Sequence, residues 1–233
     1  FGNVPMPETN PTSILVALSN NEPFHPKLGP VLDQFESSII DGLKLIQTLC
    51  DNVVCYAGSE DSVNLDRLSR VTDVVRVKGD YPSQVPGSVL YHLKTSEKDN
   101  NAWVCDWHFL LKLGESLKTG TYFPNQVISL GGNQINDNGH YIVTEGIDVS
   151  EIFTLENSTD RIIFGGIMEG LHHHNTQYLP VGMDAINVIN SDPKVEFVSF
   201  MQPGLKKPSF TRAYLSGALK HLIPVKPAAD LRG

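Results

Sequence analysis

The sequence predicts an α/β fold, a layer of largely parallel strands with covering helices, followed by a smaller strand-rich module. Three observations carry this. Short apolar, strand-sized runs alternate with helix-period segments over the first half of the chain. Residues 127–146, VISLGGNQINDNGHYIVTEG, set two strand-like runs on either side of Gly131-Gly132 and Asn138-Gly139. Hydrophobic residues make up 40% and charged residues 19%, a balance that lets 233 residues build more than one packed core.

In order along the chain, SILVAL (13–18) reads as a short buried strand after a proline-bounded lead-in. In PKLGPVLDQFESSIIDGLKLIQTLC, Leu28, Leu32, Phe35, Ile39, Leu43 and Ile46 recur at steps of three and four, the period of an amphipathic helix. Pro30 falls in its first turn, where proline is tolerated. NVVCY (52–56) is a second strand, 61–68 a short helix, 71–77 a third strand, and 88–93 a further apolar piece after the loop GDYPSQVPG. Residues 100–118, NNAWVCDWHFLLKLGESLK, are expected to form a second helix packing Trp103, Trp107, Leu110, Leu111 and Leu117. This half is Rossmann-like. It lacks a dinucleotide fingerprint, because the turn after the first strand, Ser19–Phe24, contains no glycine and places Glu22 where a phosphate would approach. Neither a Walker A nor a G-x-S-x-G pattern occurs.

In the second half, Gly131-Gly132 opens no helix and no lysine follows, so the glycines turn a hairpin and do not cradle a phosphate. DVSEIF begins a short helix, and DRIIFGGIMEG adds a strand and a glycine turn. A strand, hairpin, strand, short helix, strand order is that of a β-grasp module. The expected division is a Rossmann-like α/β domain over 1–123, a β-grasp module over 124–194, and a closing segment over 195–233 that packs back on the first domain.

The formal charge of −8 and the absence of clustered Lys and Arg argue against nucleic acid. No apolar run approaches the roughly 18 residues of a membrane span. Three cysteines, Cys50, Cys55 and Cys105, have no C-x-x-C spacing, fit free buried thiols in a reducing compartment, and are too few for a four-cysteine iron–sulfur site. The start at Phe1 and the basic tail 220–233 suggest a fragment of a longer polypeptide.

Candidate site residues are few. Trp103 and Trp107, four apart, offer a face on which a quinone or flavin ring stacks, or simply a buried helix face. Thr211 and Arg212 offer donors to an anion, or the entry to a terminal helix. The run His172-His173-His174, with Glu169 and Asp184 nearby, makes His172 and His174 weak metal candidates. Consecutive side chains of an extended segment diverge, so a solvated loop accounts for them as well. His92 and His108 read as satisfied histidines near apolar segments. No catalytic residue stands out.

Several stretches together carry a resemblance. VISLGGNQINDNGHYIVTEGIDVSEIF followed by RIIFGGIMEG is similar to the soluble-ligand-binding β-grasp (SLBB) module of respiratory NADH dehydrogenase subunits. GNVPMP, NNEPF, AWVCDWHFLLKLGESLKTGTY, QVISLGG at the family's spacing after it, and FVSFMQPGLKKPSFTRAYLSG, in this order, resemble the NqrA family of the Na+-translocating NADH:quinone reductase. The chain departs from the family where YPSQVPGSVLYH replaces a Pro-x-Gly run ending in Thr-His-Ile-His, and where Ile142-Val143-Thr144 replaces Arg-Thr-Arg. The resemblance implies a peripheral protein at the cytoplasmic face of the bacterial inner membrane, one subunit of a sodium-transporting oxidoreductase that uses NADH and ubiquinone. It implies no cofactor bound by this chain, flavin and iron–sulfur centres on partner subunits, and a scaffold that contributes to a quinone-accessible surface. Two other readings stand beside it. One is a stand-alone small-ligand-binding protein with no electron-transfer activity; the other is a related electron-transport subunit that binds both NADH and flavin.

Overall fold

The computed structural model of the protein describes residues 8–20, 22–59, 65–79, 82–132, 135, 137–154, 160–168, 170–173 and 177–190. Its first half is a four-stranded parallel sheet of β1 (Ser13–Ala17), β2 (Val53–Gly58), β3 (Asp73–Val77) and β4 (Ala102–Asp106), in the order β3-β2-β1-β4. SILVA is apolar without alternation because β1 is covered on both faces, the usual state of a central parallel strand. Helices α1 (Leu28–Gln47), α2 (Asp66–Ser69) and α4 (Trp107–Thr119) pack with one face of the sheet, around Ile14, Val16, Cys55, Ile39, Leu43, Leu68 and Leu110. Helix α3 (Pro86–Leu93) covers the opposite face over Leu15 and Tyr56 through Val89 and Leu90. The chain winds from β1 outward through β2 to β3, then crosses back over α3 to place β4 on the other side of β1.

The expected helix over 100–118 is corrected by the structure. Ala102–Asp106 is strand β4, in register with β1, and the helix begins only at Trp107. AWVCD is a short apolar run in which helix and strand periods cannot be told apart, and pairing with β1 decides it. Asp106 then stops the strand and caps the helix, its carboxylate accepting from the Phe109 N–H at 2.9 Å. Trp103 and Trp107 therefore do not share a helix face. Trp107 joins the core at 3% exposure, whereas Leu117, expected in that core, is exposed. The apolar piece at 88–93 is helix α3, which starts at Pro86 in the first-turn position that proline favours.

The second half is a five-stranded mixed sheet, β6-β5-β9-β7-β8, of β5 (Asn125–Gly132), β6 (Gly139–Thr144), β7 (Arg161–Phe164), β8 (Leu171–His173) and β9 (Ala185–Ile189). The hairpin is where the glycines placed it, with Val127 opposite Ile142 and Leu130 opposite Gly139. Gly132 needs its lack of side chain twice: its φ is +122°, and a Cβ would sit 2.0 Å from the Val188 carbonyl oxygen of the parallel neighbour β9. A short 3-10 turn, Val149–Glu151, is capped by Asp148. Ile128, Leu130, Phe164, Leu179, Ile186 and Val188 form this module's core. Among the described residues no helix is long and apolar enough to cross a membrane.

Candidate functional site at the strand ends

The strand order β3-β2-β1-β4 reverses between β1 and β4, and the carboxyl ends of strands at such a reversal are where open α/β sheets accept ligands. A cleft of about 780 Å³ forms a crevice there, extending along the β4 edge. Ala17, Ser19, Asn20, Tyr56, Gln84 and Asp106 line its inner part, and Trp103 and Trp107 border it as well. A second cleft of about 580 Å³ shares Asn20, His25 and Gln84 with the first and continues to the hairpin at His140.

The loop after β1 builds the wall between them. Ser19 Oγ donates to Gln84 Oε1 at 2.8 Å and accepts from the buried Gly58 N–H at 2.9 Å, fixing the loop to the end of β2 and the approach to α3. Ser19→Ala leaves that N–H without an acceptor, at a cost of about 1–3 kcal/mol. A drop of about 3–8 °C in the thermal midpoint is expected.

Glu22 is buried at 5% exposure. Its carboxylate accepts from the Met168 N–H of the Gly165-Gly166 turn and sits so tightly against Gly166 that a Cβ there would lie 1.9 Å from it. His25 is held between two carboxylates, Nε2 at 3.2 Å from Glu22 and Nδ1 at 3.2 Å from Asp184. Burial works against the His25 charge, but the hydrogen bond and charge of Asp184, then those of Glu22, outweigh it and raise its pKa above 6.5. His108 lies beside the same groups, with Nδ1 3.6 Å from Asp106 and 4.0 Å from Asp184. Its Nε2 is 3.0 Å from the Val127 carbonyl and so donates to it. Around Asp106, desolvation opposes the charge, yet the His108 hydrogen bond and charge and the Phe109 N–H hold its carboxyl below the usual range.

At the start of α1 the N–H of Lys27 donates to His140 Nε2 at 2.8 Å, so one of the helix-terminal donors that would meet a phosphate is taken by the hairpin. Glu22 turns its carboxylate into the second module. His140 must stay neutral to accept; desolvation, then the Lys27 charge, lower its pKa below 6.5. Its contribution to stability is thus present above pH 6.5 and lost as pH falls through the lowered value. His140→Gln, which keeps an acceptor and does not titrate, is expected to flatten the acid limb of urea midpoints measured between pH 7 and 5.

Phe24 has a left-handed backbone, φ +63°, rare for an aromatic residue, and remains half exposed in the second cleft. Its carbonyl accepts from Ser129 Oγ and its ring packs at Gly131.

The structure brings Trp103 and Trp107 to one cleft, from a strand and a helix. Thr211, Arg212 and His174 lie outside the described residues. His172 is in β8 opposite Ile163. Asp184 pairs with His25. Among the described residues no group of three His, Cys, Asp or Glu is arranged to hold a metal. The three cysteines are free thiols, and burial pushes Cys55 and Cys105 up to about 12. Sequence reasoning missed His25, Tyr56, Gln84 and His140; the signal available was position, since NNEPFH directly follows β1.

Comparison with known proteins gives a consistent set. A family model described as "NqrA second alpha/beta domain" matches residues 1–122. The NqrA protein of the Na+-translocating NADH-quinone reductase from Rhodopirellula baltica is 26% identical over 222 residues, covering 93% of this chain and 48% of the relative. Its Vibrio parahaemolyticus counterpart is 24% identical over 223 residues, 94% of this chain and 50% of the relative. The chain therefore spans about half the length of the curated relatives it matches. Among solved structures, an NAD+-reducing NiFe hydrogenase in the H2-reduced state superposes with a TM-score of 0.55 at 11% identity, covering 77% of this chain and 41% of the other. That likeness is one of fold.

Proposed function

Since this chain belongs to the NqrA family, whose second alpha/beta domain it carries, we propose that it acts as part of a peripheral subunit of a Na+-translocating NADH:quinone reductase. It is a scaffold at the cytoplasmic face of the membrane, with flavin and iron–sulfur centres on partner subunits and a quinone-accessible surface at its strand-end crevice. The observation that carries this is the match to NqrA relatives over 93–94% of the chain, which takes in both sheets. We read the mixed sheet, with its hairpin, 3-10 turn and returning strands, as the β-grasp module of the 124–194 region, following the Rossmann-like α/β domain of 1–123. Trp103 and Trp107, which border the crevice, are offered as aromatic contacts for a bound ring, and Thr211 and Arg212 as further candidate ligand donors.

The second reading, a stand-alone small-ligand-binding protein, draws on the same cleft of about 780 Å³. One experiment separates the two: gentle detergent pull-down of the tagged full-length protein from its native membranes. Co-purification of flavin-bearing membrane proteins with NADH-dependent quinone reduction supports membership of the complex. A protein recovered without partners or flavin leaves the ligand-binding protein.

A further inference from the structure

We propose that residues 22–27, within the loop from β1 to α1, form a pH-gated strap. The two histidines that tie it to the mixed sheet need opposite proton states, so the wall between the two clefts is closed only in an intermediate pH range. The strap, Glu22-Pro23-Phe24-His25-Pro26-Lys27, contains two prolines and so has few amide donors of its own. Side chains hold it instead. Asp184, just before β9, meets His25 Nδ1 at 3.2 Å, and His140 of β6 accepts from the Lys27 N–H at 2.8 Å. Between these ties Phe24 keeps its left-handed φ of +63°, a conformation that persists only where surrounding contacts enforce it. Ser129 Oγ, which donates to the Phe24 carbonyl, does not titrate and keeps the strap attached when either tie opens. Asn20, His25 and Gln84 border both clefts, so movement of the strap joins them.

A neutral imidazole has one N–H, yet both His25 nitrogens face carboxylates, those of Glu22 and Asp184, each at 3.2 Å. Only the cation serves both. Once the ring is neutral, its remaining N–H goes to Glu22, whose side chain is 2% exposed and nearly sealed from solvent. The tie to Asp184, whose side chain is 24% exposed, is then the one that opens. Behind Asp184 stands His108 of α4, at 4.0 Å, which also faces Asp106 at the end of β4. His140 is the reverse case. It accepts through Nε2 with the Lys27 charge as its neighbour, so a proton on that nitrogen removes the acceptor. Against the burial that opposes its charge, Asp184 and then Glu22 hold the His25 pKa above 6.5. Desolvation, then the Lys27 charge, hold that of His140 below 6.5. The His25 tie is therefore complete below 6.5 and lost as pH rises through its folded value. The His140 tie is complete above 6.5 and lost as pH falls through its lowered value. Both ties coexist only between the two folded values.

The test is hydrogen–deuterium exchange of the whole chain, read by mass spectrometry from about pH 5 to 8.5 with intrinsic exchange rates divided out. Protection of the strap is expected to peak near pH 6.5 and to fall on both sides, by at most about tenfold per pH unit. His140→Gln keeps an acceptor that does not titrate and is expected to abolish the acid fall alone. Asp184→Asn offers His25 either an acceptor or a donor, so it accommodates the neutral ring and is expected to abolish the alkaline fall alone. Residues 39–46 of α1, which include the buried Ile39, Leu43 and Ile46, serve as the internal standard and keep their protection while the strap moves. Histidine ring resonances titrated in the wild-type chain need no substitution: His25 is expected to release its proton at higher pH than His140. A flat wild-type profile, a fall that survives the variant made to remove it, or core protection that falls in step with the strap overturns the proposal. So does His140 holding its proton to higher pH than His25. None of these readouts depends on partner proteins, so their outcome is separate from that of the pull-down.

Discussion

Glu22→Ala is expected to lower the thermal midpoint by about 5–15 °C, equivalent to about 2–4 kcal/mol. The substitution removes a buried carboxylate that the fold has already desolvated. It leaves the Met168 N–H without this acceptor and His25 with Asp184 alone on its other nitrogen. It also opens a void against Gly166, which has no side chain to fill it. The variant has a pH signature. A histidine with a raised pKa stabilises most below 6.5, and its contribution is lost as pH rises through the folded value. With one carboxylate gone that rise is smaller, so urea midpoints of Glu22→Ala should fall less than wild type between pH 6 and 8. A variant with wild-type stability and slope would show that the clasp does not hold the two sheets together.

Gly114→Ala is expected to cost about 3 kcal/mol, seen as a lower urea midpoint with an unchanged m value. A Cβ at Gly114 would lie 1.8 Å from the Ser38 carbonyl oxygen, and one at Gly42 would lie 2.1 Å from that of Leu110. Helices α1 and α4 thus cross backbone to backbone at reciprocal glycines, and neither obstructing atom is a side chain that can swing away. Relief requires separating the helices, which loosens Ile39, Leu43, Leu110 and Leu111, all 2% exposed or less. Gly120→Ala is the comparison: its φ is +69° but nothing lies within 4 Å. Only backbone strain remains there, about 1 kcal/mol. Equal losses at the two positions would show that helix contact is not what Gly114 serves.

Much of the architecture was legible because its elements carry unambiguous periods. Helix α1 repeats its apolar residues over five turns, and the hairpin is marked by Asn138-Gly139. Strand β4 was not legible, since five residues of AWVCD satisfy either period and only the open edge of β1 chooses between them. The site was legible in part. The aromatic pair at 103 and 107 does border the crevice, for a reason other than shared helix spacing. His25, Asp184 and His140 were hidden because their partners lie far along the chain: His25 meets Asp184 159 residues away, and His140 meets Lys27 113 residues away. No window of sequence contains both halves of such a contact. Tyr56 was hidden differently, as a strand residue like its neighbours until the register set Ala17 beside it.

Those separations also order events in time. The Glu22 carboxylate meets a backbone amide 146 residues further on, so the contact is expected to close after the parallel sheet and the mixed sheet have each collapsed. Interactions made after the rate-limiting barrier act on the rate of coming apart, and leave the rate of assembly nearly untouched. The clasp between the two halves is therefore expected to act as a latch on lifetime, read as faster unfolding of Glu22→Ala with its refolding rate nearly unchanged.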